Sequence, residues 1–278
     1  MTNTINTKKN DGFKMVIFDL DGTLLTADFQ LQEETIKSVE AIRNLGLRIS
    51  IATGRSYKSA KPFLDRLQIV EPMVFSNGAV FDNPDTGERE VISGIPLESA
   101  LVVLMIQSEF KVSVKIHMAD GRLYKTDDTP WPGEGIHFEA GEQVPDLQQH
   151  LDEDPIKMVF HGENGEMLRF QQRIEEILGP KSQVRLFRSQ PEHMEMSNRS
   201  VSKGDAVKIL VEKLGIPHSE IITVGDQEND FEMIRDFGLG VMVGSHEPKL
   251  EKVCDFKIAS PEEKGIETLH DHLQNLLS

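Results

Sequence analysis

The sequence predicts an α/β protein, a doubly wound parallel-sheet core interrupted by a smaller α+β insertion. Three observations lead there. Apolar, β-branched runs such as "KMVIFDL", "LRISIAT" and "IITVG" lack polar alternation, as strands buried on both faces do. They alternate with stretches of helical period, the rhythm of βαβ units with right-handed crossovers. From about residue 86 to 189 that rhythm gives way to strands in pairs. The expected division is a polar N-terminal tail over 1–13, a core over 14–85 and 190–278, and an inserted domain over 86–189.

Each element has a local reason. "EETIKSVEAIRNLG" places Ile36, Val39, Ile42 and Leu45 three residues apart and stops at Gly46, a helix closed by glycine. "RSYKSAKPFLDRLQI" is mixed helical, and "PMVFSNGAVFD" gives a third strand with a turn at Ser76, Asn77 and Gly78. In the insertion, "KVSVKIHM" and "GRLYKT" form a hairpin through Asp120 and Gly121. "PLESALVVLMIQSEF" and "EMLRFQQRIEEIL" are its helices, "IKMVFHG" and "QVRLFRS" further strands, and the Pro- and Gly-rich "TPWPGEGIHFEAGEQVP" a loop. After "HMEMS" the α/β rhythm returns with helix "KGDAVKILVEKLG", strand "IITVG", helix "NDFEMIRDF", strand "LGVMVG" and a terminal helix from about Ile266.

Composition narrows the function. The 278 residues suffice for a substantial core, and 38% hydrophobic with 27% charged residues describes a soluble globular chain. Thirty basic against 46 acidic side chains leave a net charge of -16, which repels a phosphate backbone or an anionic membrane. No nucleic-acid or membrane partner is expected; a small anionic substrate remains compatible with a local gathering of basic residues. The lone Cys254 forms no intrachain disulfide, and "MTNTINTKKNDGF" lacks the apolar segment of a secretory signal, so a cytoplasmic protein is expected.

Polar clusters stand where strands end, the positions at which α/β sheets bind ligands. Asp19 and Asp21 end the first strand, Thr53 and Gly54 the second, Gly225 and Asp226 the strand "IITVG", while Lys203 begins a helix. Two carboxylates at i and i+2 repel, so a cation neutralises them or one is protonated. Asp226 could complete an oxygen site suited to Mg²⁺. A phosphate ester is then the natural substrate, with Lys203 balancing its charge and Thr53 Oγ and the Gly54 and Leu20 N–H groups bonding its oxygens. One aspartate can attack phosphorus and the other can handle the leaving group's proton.

Together, "DLDGT", "ATGR", "SKGDA" and "GDQEND" resemble in kind and order the four motifs of the haloacid dehalogenase-like phosphohydrolases, in the Cof-type branch with a type IIB cap. The resemblance covers nearly all the chain after the tail. It implies a Rossmann-like core with an inserted α+β cap that selects substrate, and a Mg²⁺-dependent phosphatase acting on small phosphorylated metabolites, sugar phosphates among them. It further implies Asp19 as nucleophile and metal ligand, and Asp21 as acid and base that also binds metal through its backbone carbonyl. Thr53 becomes a phosphate ligand, Lys203 the cation, Asp226 a metal ligand and Asn229 a neighbour of the phosphoryl oxygens, with Asp230 supporting the metal site. A phosphomutase or phosphotransferase on the same site is an alternative, and a non-catalytic metabolite-binding regulator another. The chain departs from the branch at Ser245 and His246 in "GVMVGSHEP" and at "KGIETLH".

Asn77 in "FSNGA" is a lesser candidate, balanced against a turn role; so is Arg55, for which pairing with an acidic neighbour is favoured over substrate contact. Arg122, Lys125, Arg185 and Arg188 could meet an anion but are expected as exposed charges. His270 and His272 read as solvated, Met194 and Met196 as core, Cys254 as a packed small hydrophobe, and Trp131 as part of a surface loop or lid. Asn198, in the sequon "NRS", should carry no sugar.

Overall fold

The computed structural model describes residues 12–84, 86–126, 140–244 and 247–277. The tail before residue 12, Trp131 and the Ser245–His246 departure lie outside them. In chain order the strands and helices begin with β1 (Met15–Phe18), α1 (Glu33–Asn44), β2 (Arg48–Ile51), α2 (Tyr57–Leu67), β3 (Met73–Phe75), β4 (Val80–Asn83) and β5 (Glu88–Val91). There follow α3 (Leu97–Gln107), β6 (Ser113–His117), β7 (Leu123–Lys125), β8 (Glu142–Gln143), β9 (Lys157–His161), α4 (Asn164–Leu178), β10 (Val184–Gln190) and β11 (His193–Asn198). The chain closes with α5 (Lys203–Lys213), β12 (Ile221–Gly225), α6 (Phe231–Asp236), β13 (Leu239–Val243), β14 (Phe256–Ile258) and α7 (Gly265–Leu277). No described helix is long and apolar enough to cross a membrane.

Two compact units result, one running up to Glu90 and resuming at Ser202, the other spanning Val91–Val201. Both boundaries differ from those expected at 86 and 189. β11 pairs antiparallel with β9 and β10, so the "HMEMS" segment assigned to the core belongs to the second unit. Most of β5 goes the other way, because it extends the β3-β4-β5 sheet of the first unit.

The first unit is built on a parallel sheet in the order β14-β13-β12-β1-β2. β1 and β12 are buried along their whole lengths, as their unbroken apolar runs require. Helix α1 packs on α7 and α5 on α6. Local chemistry starts and stops these helices: Ser56 Oγ caps α2 by accepting from Ser59 N–H, and Ser202 with Asp205 forms a capping box on α5. From β1 the chain steps outward to β2, whereas β12, β13 and β14 run off the other side. The strand order therefore reverses between β1 and β12, and their carboxyl ends flank the crevice where such sheets bind ligands. Register holds those ends level: Phe18 lies beside both Val224 and Ile51.

The second unit has a six-stranded sheet, order β10-β11-β9-β6-β7-β8, and the expected hairpin at Asp120 and Gly121 is its β6–β7 pair. Val114, Ile116, Met158, Phe160, Met194 and Met196 share one face and form a core with Val103 of α3 and with Phe170 and Ile174 of α4. Phe160 and Phe170 meet edge to face, ring centroids 5.1 Å apart. The alternate residues include Lys115 and Lys125, cross-strand neighbours only 5% and 9% exposed. Lys125 is thus buried beside Lys115 on the face of the sheet away from this core, contrary to the exposed charge expected. Part of the expected 129–145 loop is likewise a strand, β8, parallel to β7.

His272 also departs from expectation: its ring stacks on Phe256, centroids 4.1 Å apart, instead of standing in solvent. Cys254 packs beside Ile234, Met242 and Leu250, and burial raises its thiol pKa.

Because Phe170 is fully buried between sheet and helices, Phe170→Ala should cost about 3–5 kcal/mol. Denaturant titration followed by circular dichroism should show the midpoint falling accordingly.

Candidate active site

Asp19 leaves the end of β1 with its N–H bonded to the Val224 carbonyl at 2.9 Å, which ties the nucleophile candidate to β12. On the other side the Ala52 N–H donates to the Phe18 carbonyl at 2.9 Å, keeping Thr53 in step with the same strand end. Asp19 and Thr53 are both buried.

Lys203, the first residue of α5, sends its ammonium to Asp19 Oδ1 at 3.0 Å and to Asp230 Oδ1 at 2.6 Å. The Lys203 and Asp230 side chains are completely buried. Asp230 Oδ2 accepts from the Asp226 and Gln227 N–H groups at 3.0 and 3.1 Å, so this carboxylate braces the turn after β12. Gly225 makes the approach possible, since a Cβ there would stand 2.5 Å from the Asp230 carboxyl carbon.

Asp226 accepts from Thr23 Oγ1 at 2.9 Å. Asp19, Asp226 and Asp230 each offer an oxygen within 4.8 Å of the others. Gly22, with φ of +78°, brings the loop against this group; a Cβ there would lie 2.2 Å from Asp226 Oδ2.

Asp21 takes a different partner, while its charge still adds to the upward shifts of Asp19 and Asp226. Arg55 Nε donates to its Oδ1 and Oδ2 at 3.0 and 2.8 Å, and Nη2 donates to Oδ1 at 2.6 Å. The pairing favoured for Arg55 is therefore present, with Asp21 as its partner. Asn229 Nδ2 donates to Asn77 Oδ1 at 3.0 Å, and a Cβ on Gly54 would stand 3.0 Å from that same oxygen. Asn229, Asn77 and Gly54 are thereby neighbours. Asn229 Oδ1 is buried without a hydrogen-bond partner, and Ser76 and Asn77 both hold left-handed backbone, at φ of 52° and 55°. Such strain persists where surrounding structure enforces it.

The electrostatics describe a site short of positive charge. Burial pushes the Asp19 carboxyl well above its ordinary range; Lys203 opposes the shift while Asp230, Asp226 and Asp21 add to it. Burial, then Asp230, raises Asp226 to about 7. Burial works against the Lys203 charge as well, but the adjacent Asp19 and Asp230 outweigh it and hold the ammonium protonated. Three converging carboxylates facing one lysine suit a hard divalent cation such as Mg²⁺. With Asp230 engaged by Lys203 and two backbone N–H groups, Asp19 and Asp226 are the side chains left to hold it.

The first unit thus gathers Asp19, Thr53, Lys203, Asp226 and Asp230 at one end of its parallel sheet. Arg122, Lys125, Arg185 and Arg188 belong to the second unit. There Arg122 is paired with Asp120 and Glu153, and Arg188 with the Asn164 side chain. Thr23, inside the "DLDGT" motif, has a role that the sequence reading did not assign: it orients Asp226.

A parallel sheet that reverses order at an acidic, lysine-bearing strand end defines an α/β protein with its ligand site at that switch point, and comparison with known proteins identifies the family. The haloacid dehalogenase-like hydrolase family model matches residues 16–269, and the chain belongs to that family. It is similar to the 5-amino-6-(5-phospho-D-ribitylamino)uracil phosphatase YitU of Bacillus subtilis, 23% identical over 91% of this chain and 94% of the relative. It is similar also to the HMP-PP phosphatase of Serratia proteamaculans, 27% identical over 87% of each chain. In structure it resembles a haloacid dehalogenase-like hydrolase from Bacteroides thetaiotaomicron, with TM-score 0.85, 20% identity and coverage of 94% of this chain and 99% of the other.

Two outcomes test this geometry. Gly22→Ala places a methyl group against the Asp226 carboxylate at positive φ, so it should lower both the melting temperature and divalent-cation affinity, measured by thermal denaturation and calorimetry. The second concerns pH in chelator. Asp226 keeps its proton in the folded metal-free protein up to about pH 7, whereas in the unfolded chain it ionises near 3.8. Its contribution to stability is then full below pH 3.8 and is lost as pH rises through 7. Melting curves across that window should show this loss in the wild type, a smaller loss in Asp226→Asn, and recovery on adding Mg²⁺.

Proposed function

We propose that the chain is a Mg²⁺-dependent phosphatase that hydrolyses small phosphorylated metabolites, sugar phosphates foremost, through a phosphorylated Asp19. The observation that carries this reading is the placement of Asp19, a rigid strand-end carboxylate contacted by buried Lys203 and grouped with Asp226 and Asp230. The relative that dephosphorylates a phosphoribityl compound favours a sugar-like ester.

In this reading an Asp19 oxygen attacks phosphorus while the ester oxygen departs. Lys203 neutralises charge on the phosphoryl group, and Thr53 Oγ, the N–H groups of Leu20 and Gly54, and the Asn229 amide hold its oxygens. Asp21 supplies a proton to the departing oxygen and afterwards takes one from the water that cleaves the acyl phosphate, a contribution of roughly 10²–10⁴-fold. Mg²⁺ held by Asp19, Asp226 and the Asp21 carbonyl would neutralise further charge in the transition state. Asp230 keeps Lys203 and the turn after β12 in place. The Val91–Val201 unit is assigned the choice of substrate.

Asp19→Asn should reduce phosphate release from a sugar-phosphate panel by roughly 10³-fold or more while retaining the wild-type circular dichroism spectrum. With a radiolabelled ester and acid quench, wild type should carry protein-bound label released by hydroxylamine, and Asp19→Asn none. Undiminished turnover in the variant would sink the proposal. An isomerised sugar phosphate in place of free phosphate would make the protein a mutase.

A further inference from the structure

The Asp21–Arg55 pair is built asymmetrically. The Arg55 side chain is 2% exposed, while that of Asp21 is 31% exposed. The guanidinium carbon lies 5.3 Å from the Phe29 ring centroid and 5.1 Å from that of Phe63, so the cation is wedged between two aromatic rings. Its backbone is tied down too: the Arg55 N–H donates to Thr53 Oγ1 at 3.2 Å, and the Arg55 carbonyl accepts from Ser76 N–H at 2.9 Å. Of the two partners, Arg55 is the fixed one and Asp21 the one open to a ligand.

Three hydrogen bonds from one planar fork settle both the place and the plane of the Asp21 carboxyl group. An ammonium at the same point would supply charge without that orientation. The backbone of the loop is pinned independently, by a bridge between Asp21 and Leu25 and by the Leu24 and Leu25 N–H groups donating to the Leu20 carbonyl at 2.9 and 2.8 Å, so what the Arg55 fork adds is the orientation of the Asp21 side chain.

We propose that Arg55 is a positioning residue for proton transfer, holding the Asp21 carboxyl group in line with the leaving oxygen of the ester. The inference rests on the reading of Asp21 given above. In the step concerned, the bond from phosphorus to the leaving oxygen breaks as the bond from Asp19 to phosphorus forms, and the Asp21 proton passes to the leaving oxygen. Arg55 neither gives nor takes a proton; it sets the distance and angle at which Asp21 does.

The test exploits leaving groups. A phenolate departs from an aryl phosphate with little need of a proton, whereas the alkoxide of a sugar phosphate needs one. Arg55→Met fills the space between Phe29 and Phe63 without a fork, and Arg55→Lys keeps the charge without it. Both are assayed in the full-length protein with Mg²⁺, alongside thermal melts, on p-nitrophenyl phosphate and on a hexose phosphate. Expected is a loss in kcat/KM, which covers the steps through leaving-group departure, of roughly 10-fold or more on the hexose phosphate in both variants, with kcat/KM on the aryl ester within about threefold of wild type; kcat, which includes the water step that Asp21 serves for both esters, falls on each. Equal losses in kcat/KM on the two esters would mark Arg55 as merely structural and overturn the proposal; so would wild-type kcat/KM of Arg55→Lys on the hexose phosphate. Asp21→Asn separates the two layers. If it spares kcat/KM on the aryl ester and the Arg55 variants do not, the Arg55 role alone fails. If it shows no preference between the esters, the reading of Asp21 fails and the Arg55 proposal with it.

Discussion

A fully buried ammonium held between Asp19 and Asp230 is the contact on which the active end of the first unit depends. Removing the lysine would leave buried carboxylates uncompensated in a dry site, a loss of about 3–5 kcal/mol for buried pairs. Lys203 can occupy that place because a capping box starts α5 one residue earlier and fixes where the helix begins. Asp230 can reach it because Gly225 presents no side chain. Helix start, glycine and carboxylate thus converge on one nitrogen atom. With Asp226 added, the site holds three carboxylates around one fixed cation, an imbalance well suited to a divalent metal and an anionic ester.

The sheet order explains why these groups come from distant parts of the chain. Thr23 and Asp226 are hydrogen-bonded though 203 positions apart. Both follow strands that end at the point where the sheet changes direction. Neighbouring parallel strands in fixed register bring their carboxyl ends together without long loops. The loops can therefore be short, and short loops leave little freedom for misplaced carboxylates.

Much of this was legible before any coordinates. Long, unalternating strands such as β1 and β12 announce themselves, and polar residues at their ends stand out against apolar runs. The strand-end clusters at Asp19, Thr53 and Asp226 follow from that contrast, whereas the four motifs as a set rest on the family resemblance, and pairing Arg55 with an acid is the plainer of two readings of a lone arginine. Elements of two or three residues, such as β8 and β14, are too short for a periodic signal, and neither was anticipated. The domain boundary slipped because "HMEMS" alternates like any half-buried strand, and nothing local says which sheet takes it. Burial of Lys125, and the stacking of His272 on Phe256, depend on tertiary neighbours that the residues themselves do not announce. The Thr23 bond to Asp226 escaped notice for the same reason: its partner lies beyond the whole inserted unit.

The interruption of the first unit by Val91–Val201 has a consequence for biosynthesis. A chain emerging from the ribosome presents β1 and β2 early, yet β12, the other neighbour of β1, follows the entire inserted unit. The second unit is continuous in sequence, so it can complete its sheet while the first still waits with an apolar strand edge uncovered. During that interval the exposed side of β1 is available to any passing strand. The strand that carries the nucleophile candidate is thus also the segment most in need of protection while the protein is being made.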